Sequence, residues 1–422
     1  MTLALLVLLA TLVAGLYMAW TIGANDVANA MGTSVGSGAL TLVAAVVLAA
    51  IFEFSGAVLV GASVTETIGR GIVETTFFEV TGPFGQDGPL MLAVAMLCAL
   101  LAAAAWLHLA THLALPVSTT HSIVGAMVGV GVVAFGFKGV AWSKMGQIVG
   151  SWLVSPILGG LFAYLSFVAI RRLILQADDP IGATKRYSPY IVGAVVTVIF
   201  LSFIYKVLGS RFDVPPLVVS LVVALGAGAV AALLTRIIVR HADPARGTNP
   251  YLYVERIFAL LQIATACFVA FAHGANDVAN AVGPVSMVVM LYNSGFSSVV
   301  GAVAVPKWVL VLGGAGIVVG IATLGYRVIQ TVGKEITEIT PTRGFSAEFG
   351  AATTVLLASS LGLPISTTHT LVGGVIGIGF AQGIGALNLS MIRSIVGSWV
   401  ATVPVAAAVA ALLFFVARAL IL

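Results

Sequence analysis

The stretch GANDVANA, residues 23–30, occurs a second time, letter for letter, at residues 274–281. Two further blocks repeat in the same order. LALPVSTTHSIVGAMVGVG at 113–131 matches LGLPISTTHTLVGGVIGIG at 361–379, and IVGSW at 148 recurs at 395. The three offsets are 251, 248 and 247 residues. Spacing this constant indicates that one long unit was duplicated whole.

The composition places the duplicated unit in a membrane. Of 422 residues, 60% are hydrophobic and 8% are charged, whereas soluble domains carry roughly 25% charged residues. About ten segments are long enough to cross the roughly 30 Å of hydrocarbon in a bilayer. The first segment has no positive region before it and is interpreted as a retained helix. The sequence therefore predicts an all-α polytopic membrane protein with ten to twelve transmembrane helices.

The repeats divide the chain into three parts. Residues 1–170 form the first repeat, 171–254 form intervening helices and a polar linker (HADPARGTNP), and 255–422 form the second repeat. The intervening helices could serve as a scaffold or as a dimer contact. A hydropathy count in which the STTH segments only re-enter the membrane makes the repeats parallel. One further crossing, from 64–80 or from a segment counted as re-entrant, would make them inverted.

The formal charge of +4 does not indicate a nucleic-acid partner, because the basic residues are scattered through short loops. Loops rich in Lys and Arg tend to stay on the cytoplasmic side. Loops 171–189 and 236–256 are therefore predicted to face the inside. Cys98 and Cys267 lie in apolar segments without ligand spacing, so neither a disulfide nor a metal site is expected from them.

The repeated GANDVANA carries oxygen ligands on one helical face. Residues three and four apart on a helix are neighbours, so each motif aligns one carboxylate with carboxamides. A charged Asp at bilayer depth costs about 2.5–3.5 kcal/mol on insertion scales and indicates function. The alternative is a polar break in the helix that serves packing. The candidate residues are Asn25, Asp26 and Asn29, with their copies Asn276, Asp277 and Asn280.

The repeated STTH predicts helix starts inside the membrane. Proline precedes each motif by two residues, and Ser or Thr favours the N-cap position. A helix N-terminus attracts anions, and the hydroxyls add hydrogen-bond donors. The alternative is that these side chains bond to their own helix carbonyls. The candidates are Ser118, Thr119 and Thr120, with Ser366, Thr367 and Thr368, on paired broken or re-entrant helices.

Together the two motifs predict cotransport. Two aspartates beside an anion would repel it unless cations lie between them, and neither motif contains Lys or Arg. Glu53 and Glu348, which also lie in apolar segments, could contribute to coupling or gating, or could be structural. A membrane aspartyl protease would leave both STTH motifs unexplained. Paired sites with several ligands favour an occluding transporter over a channel, so no enzymatic activity is expected.

With these motifs, the chain resembles the inorganic phosphate transporter family. The resemblance implies a symporter of phosphate with sodium, or with protons in some members, built on two inverted repeats. It assigns importance to Asp26, Asp277, Glu53 and Glu348, to both hydroxyl motifs, and to His273, whose counterpart in the first repeat is Ile22. The short linker between the repeats suggests a prokaryotic plasma-membrane protein.

The resulting hypothesis is import of phosphate. Hydroxyls, Asn25 and Asn276 would hold phosphate, while Asp26 with Asn29 and Asp277 with Asn280 would hold sodium. The expected partners are phosphate, sodium and the lipid bilayer, with a homodimer left open and no cofactor. The competing hypothesis is a proton-coupled phosphate or sulfate permease of the same fold.

Overall fold

The computed structural model describes residues 2–68, 73–204, 217–241, 249–297, 299, 305–360 and 365–421. Ten of the described helices are long and apolar enough to cross a membrane, which confirms the all-α polytopic prediction. Most of the linker and Pro364, which precedes the second STTH, lie outside the described residues. The α-helices are α1 (Leu3–Gly36), α2 (Leu42–Ile68), α3 (Gly88–His112), α4 (Thr119–Phe135), α5 (Trp142–Ile170), α6 (Pro180–Phe203), α7 (Leu217–His241), α8 (Pro250–Asn293), α9 (Lys307–Gln330), α10 (Pro341–Ser360), α11 (Thr367–Gln382) and α12 (Leu389–Ile421).

The repeats interlock. Helix α1 packs chiefly on α9, and its copy α8 packs chiefly on α2. Glycines make this close approach possible, because the backbone at Gly23 lies against the carbonyl of Ile317, and the backbone at Gly274 lies against the carbonyl of Glu53. No side chain fits at either crossing. Each motif helix is therefore held by a helix of the opposite repeat.

The directions of these helix pairs determine the orientation of the repeats. Along α1 and α9, contacts progress from Gly23 with Ile317 to Gly36 with Gly333, so these two helices run parallel. Along α2 and α8, the contact of Glu53 with Gly274 is likewise followed by one further along both helices. Because α1 and α2 are joined by a short turn and run in opposite directions, α8 runs opposite to α1. The repeats are therefore inverted.

The segments before and after each STTH helix form hairpins. The amide of Glu74, before α3, donates to the carbonyl of Gly139, after α4, at 3.2 Å. In the second repeat the amide of Asn388, after α11, donates to Ile336, before α10, at 3.0 Å. We call α3–α4 hairpin 1 and α10–α11 hairpin 2. Each hairpin enters and leaves on one face of the membrane.

This pairing shows why the hydropathy count favoured parallel repeats. That count treated 89–111 as a complete crossing, whereas α3 is one arm of hairpin 1. In the described part of 64–80, α2 ends at Ile68 and a short turn covers Thr75–Phe78, so this segment adds no crossing. With the basic loops inside, hairpin 1 enters from the outer face and hairpin 2 from the inner face.

Candidate functional site

The first half-site joins α1 to α11. Nδ2 of Asn29 donates to Oδ1 of Asp26 at 3.1 Å and to Oγ1 of Thr368 at 2.8 Å. The hydroxyl of Thr368 also lies 3.3 Å from Oδ1 of Asp26. All three side chains are buried. We call Asp26, Asn29 and Thr368 the first half-site.

The second half-site repeats this geometry between α8 and α4. Nδ2 of Asn280 lies 3.2 Å from Oδ1 of Asp277 and 3.3 Å from the hydroxyls of both Thr119 and Thr120. The hydroxyl of Thr120 lies 3.5 Å from Oδ1 of Asp277. We call these four residues the second half-site. In both half-sites, an Asp-Asn face of one repeat meets the STTH hydroxyls of the other.

His273 connects the two half-sites. Its Nε2 lies 2.8 Å from Oδ2 of Asp277 and 3.4 Å from Oδ2 of Asp26, and its Nδ1 lies 3.2 Å from Oε2 of Glu53. One N–H on Nε2 cannot satisfy two carboxylates at once. The site therefore places three carboxyl groups around one imidazole.

This cluster breaks the symmetry of the repeats. In the first repeat Ile22 replaces His273, and Ile317 lies against Gly23 where Glu53 lies against Gly274. The polar pair between α2 and α8 thus corresponds to an apolar pair between α9 and α1. The sequence located His273 through the family resemblance, but it gave no sign that His273 contacts Glu53.

The half-sites and the neighbouring Glu53 contain acceptor oxygens suited to a cation. Oδ1 of Asn29, Oδ1 of Asn280 and Oε1 of Glu53 are buried and have no hydrogen-bond partner within the described residues. Ligand atoms of Asp26, His273 and Asp277 also lie within 4.8 Å of one another. Buried acceptors without donors are costly unless something else satisfies them, and carboxylate and amide oxygens are ligands for hard cations.

Asn25 contacts the turn of hairpin 1. Its Nδ2 donates to Thr111 at 3.0 Å and to the carbonyl of Leu115 at 3.1 Å, and its Oδ1 accepts from the amide of Val117 at 3.1 Å. These bonds brace the turn of hairpin 1 and engage both polar atoms of the Asn25 amide. Its copy Asn276 is half-buried and donates to Asp277 at 3.2 Å.

The serines of both STTH motifs are helix caps. The hydroxyl of Ser118 accepts from the amide of His121 at 3.3 Å, and that of Ser366 accepts from His369 at 3.2 Å. Each cap starts a helix, α4 or α11, whose positive end points into the site. Among the motif hydroxyls, those of Thr120 and Thr367 belong to half-buried residues. A cavity of about 40 Å³ lies beside Thr367, Asn29 and His273.

The sequence did not indicate how the two motif histidines pack. Their rings meet edge to face, with centroids 4.4 Å apart. His121 lies 3.7 Å from the ring of Trp152, and His369 stacks on Trp399 at 3.8 Å. Both tryptophans come from the repeated IVGSW block. This third repeated block therefore packs against the first turns of α4 and α11 and supplies no ligand atoms.

Glu348 lies apart from the half-sites. Its carboxylate accepts hydrogen bonds from Thr33 at 2.6 Å, Ser34 at 2.9 Å and Gln262 at 3.2 Å, and also from Thr265. The carboxylate is fully buried and joins α10 to α1 and α8. Its place in coupling or gating stays a prediction, whereas its contacts define a structural junction.

Replacing Glu348 with Ala should lower the thermal unfolding midpoint by about 5 °C or more, because an orphaned buried donor costs about 1–3 kcal/mol. The measurement is thermal unfolding in detergent, with Glu338→Ala as the matched control, since Glu338 is 88% exposed. Equal midpoints for the two variants would contradict the junction.

Comparisons with known proteins find relatives that match nearly the whole chain. A model described as the phosphate transporter family matches residues 22–410. A Pyrococcus abyssi protein with a provisional phosphate permease name is 49% identical over 407 residues, covering 96% of this chain and 97% of its own. The chloroplastic inorganic phosphate transporter 2-1 of Arabidopsis thaliana is 44% identical, over 95% of this chain and 70% of its own. A solved structure titled as the sodium-dependent phosphate transporter superposes with a TM-score of 0.87 and 42% identity, over 99% of this chain and 100% of its own.

Proposed function

Because the chain belongs to the phosphate transporter family, we propose that it is a secondary symporter that imports inorganic phosphate together with sodium ions. The observation that carries this proposal is the pair of half-sites. Each presents an ionisable carboxylate, an amide oxygen without a donor, and hydroxyls from the opposite repeat.

Sodium fits the acceptor oxygens of each half-site. Asp26 with Asn29, and Asp277 with Asn280, each offer one carboxylate and one amide oxygen from neighbouring turns of a helix. The threonine hydroxyls within hydrogen-bond distance can turn their lone pairs toward a cation. The solved relative is titled sodium-dependent, which supports this choice of cation.

Phosphate fits between the half-sites. The threonine hydroxyls, the half-buried Asn276 and the N-termini of α4 and α11 supply donors that attract an anion. Asn25, engaged in hairpin 1, is left out of this set. The carboxylates at the same place oppose an anion until cations neutralise them. Binding of phosphate therefore depends on prior or simultaneous binding of sodium, which is the basis of coupling.

Proton coupling is the second candidate, and the contact of His273 with Glu53 favours it. This pair is buried, occurs between α2 and α8 but not at the corresponding contact between α9 and α1, and could carry a proton beside the aspartates. Sulfate as substrate stays the alternative within this fold. The relatives are named as transporters and permeases, which supports a protein that is not an enzyme.

The deciding experiment is uptake of labelled phosphate into proteoliposomes under an inward sodium gradient or an inward proton gradient without sodium. We expect accumulation only with sodium, and little competition from sulfate. Accumulation driven only by protons would keep the phosphate site but assign the aspartates to protons. No gradient-driven accumulation in either sample would refute the symporter.

The setting of the protein follows from the same proposal. Its relatives include archaeal and bacterial proteins, so we place the transporter in a prokaryotic plasma membrane. A homodimer in which α6 and α7 form the contact stays a prediction, to be measured as the mass of the purified protein in detergent.

A further inference from the structure

The tip of hairpin 1 shapes both half-sites. Residues 113–118 connect α3 to α4, and Ala114 takes a left-handed conformation there, with φ of 55°. The carbonyl of Val117 lies 3.4 Å from the hydroxyl of Thr368 in the first half-site. Directly after the tip, Thr119 and Thr120 enter the second half-site. Any shift of this tip therefore moves ligand atoms in both half-sites.

Arg327 holds the base of that tip. Its Nη1 donates to the carbonyl of His112 at 3.1 Å and lies 3.3 Å from Nδ1 of the same residue. His112 ends α3, and the last carbonyls of a helix lack partners within the helix. A cation is favourable at that end of a helix. Arg327 itself lies in the last turn of α9.

A row of polar and aromatic contacts continues from this point. The ring of His112 stacks on His108 at 4.8 Å, and Nδ1 of His108 lies 2.6 Å from the hydroxyl of Tyr17. Trp20 meets His108 edge to face and donates from Nε1 to Thr323 at 2.9 Å. The row thus joins α3 to α1 and α9.

The row is absent from the sequence of the other repeat. Gly56 on α2 packs on the carbonyl of Phe271, and Gly320 on α9 packs in the same way on the carbonyl of Trp20. These equivalent contacts give the sequence alignment of α2 with α9. On this alignment Tyr17, Trp20, His108, Thr323 and Arg327 correspond to Phe268, Phe271, Leu356, Leu59 and Ser63. These polar residues occur at hairpin 1 and not at hairpin 2. Their role is therefore different from that of the ligand residues, which both repeats contain.

We propose that Arg327 is a positioning residue, which holds the tip of hairpin 1 in the place where both half-sites are complete. It touches neither phosphate nor sodium and acts through the carbonyl of His112. Without it, the tip spends more time away from this position. The inference rests on the proposed sodium-phosphate symport, because the half-sites are its readout.

The test compares Arg327→Gln and Arg327→Lys in proteoliposomes, with Arg240→Gln as matched control. Arg240 is an exposed arginine in the last turn of α7. We expect Arg327→Gln to raise the KM for phosphate and the KM for sodium by the same factor, about three- to tenfold. The reason is that the tip occupies its binding-competent position less often. The maximum rate should change little. Arg327→Lys should restore part of the affinity.

A second readout reports the tip itself. Leu115→Cys, in a chain with Cys98→Ala and Cys267→Ala, is labelled with an impermeant maleimide. In Arg327→Gln the labelling rate should rise about tenfold, corresponding to about 1.4 kcal/mol, and saturating sodium with phosphate should return it to that of the parent. His108→Leu, which copies Leu356, breaks the row elsewhere and should act in the same direction.

The outcomes separate this inference from the function. Equal KM values and equal labelling in Arg327→Gln and Arg240→Gln would overturn the positioning role while leaving symport intact. A KM change for only one of the two ions would also overturn it. Absence of sodium-driven uptake in the parent protein would instead refute the proposed function, and the labelling comparison would still report on the tip.

Discussion

Replacing Asp277 with Asn is expected to reduce sodium-driven phosphate uptake by about a hundredfold. The carboxylate contacts Asn280 and Thr120 and lies 2.8 Å from His273. Interactions with a charged group contribute about 1.5–3 kcal/mol, and each 1.4 kcal/mol is tenfold. Asn keeps the shape and removes the charge that attracts sodium. The measurement is initial uptake in proteoliposomes at saturating phosphate.

The inverted geometry predicts the same outcome for Asp26→Asn, because the two aspartates occupy equivalent places. Asp178→Asn serves as the control, since Asp178 lies exposed in the loop between α5 and α6. Both site variants should elute from size exclusion like the parent protein. Retention of full sodium-driven uptake in Asp26→Asn and Asp277→Asn would show that these carboxylates are not the sodium ligands.

Replacing Gly274 with Val should leave almost no folded protein. A side chain at Gly274 meets the backbone carbonyl of Glu53, and backbone cannot move aside as a side chain can. Overpacking typically costs about 1–3 kcal/mol, occasionally more, and here it also displaces Glu53 from His273. The measurement is the yield of monodisperse protein after size exclusion.

Gly150→Val is the matched control, because a side chain at Gly150 on α5 meets nothing within 4 Å. It should give parent-like yield despite the same change of residue. A normal yield and unfolding midpoint for Gly274→Val would mean that α2 and α8 can separate locally without loss of the fold.

Much of the site could be predicted from the sequence because the duplication marks it. Asp26 and Asn29 share a face through helical spacing alone, and that spacing is visible in the letters. Their contact with Thr368 cannot be predicted in this way, because Thr368 lies 339 residues beyond Asn29. Periodicity within one helix cannot show which distant helix faces it, so the exchange of hydroxyls between repeats required the structure.

Identical letters also gained different contacts. Asn25 and Asn276 hold the same place in GANDVANA, yet Asn25 braces hairpin 1 while Asn276 contacts Asp277. The surroundings of each copy decide this, and they differ through residues such as Ile22 and His273. Repetition therefore predicted the place of a site residue more reliably than its role.

The exchange of ligands between repeats bears on how such a protein could arise. A single unduplicated unit holds an Asp-Asn face and an STTH hairpin, but in this geometry they belong to different half-sites. An ancestor of half the length could complete the site only as a pair of copies inserted in opposite directions across the bilayer. Fusion through α6 and α7 then fixed one copy in each orientation, and only after fusion could one copy acquire Glu53 and the other His273 without the same change in its partner.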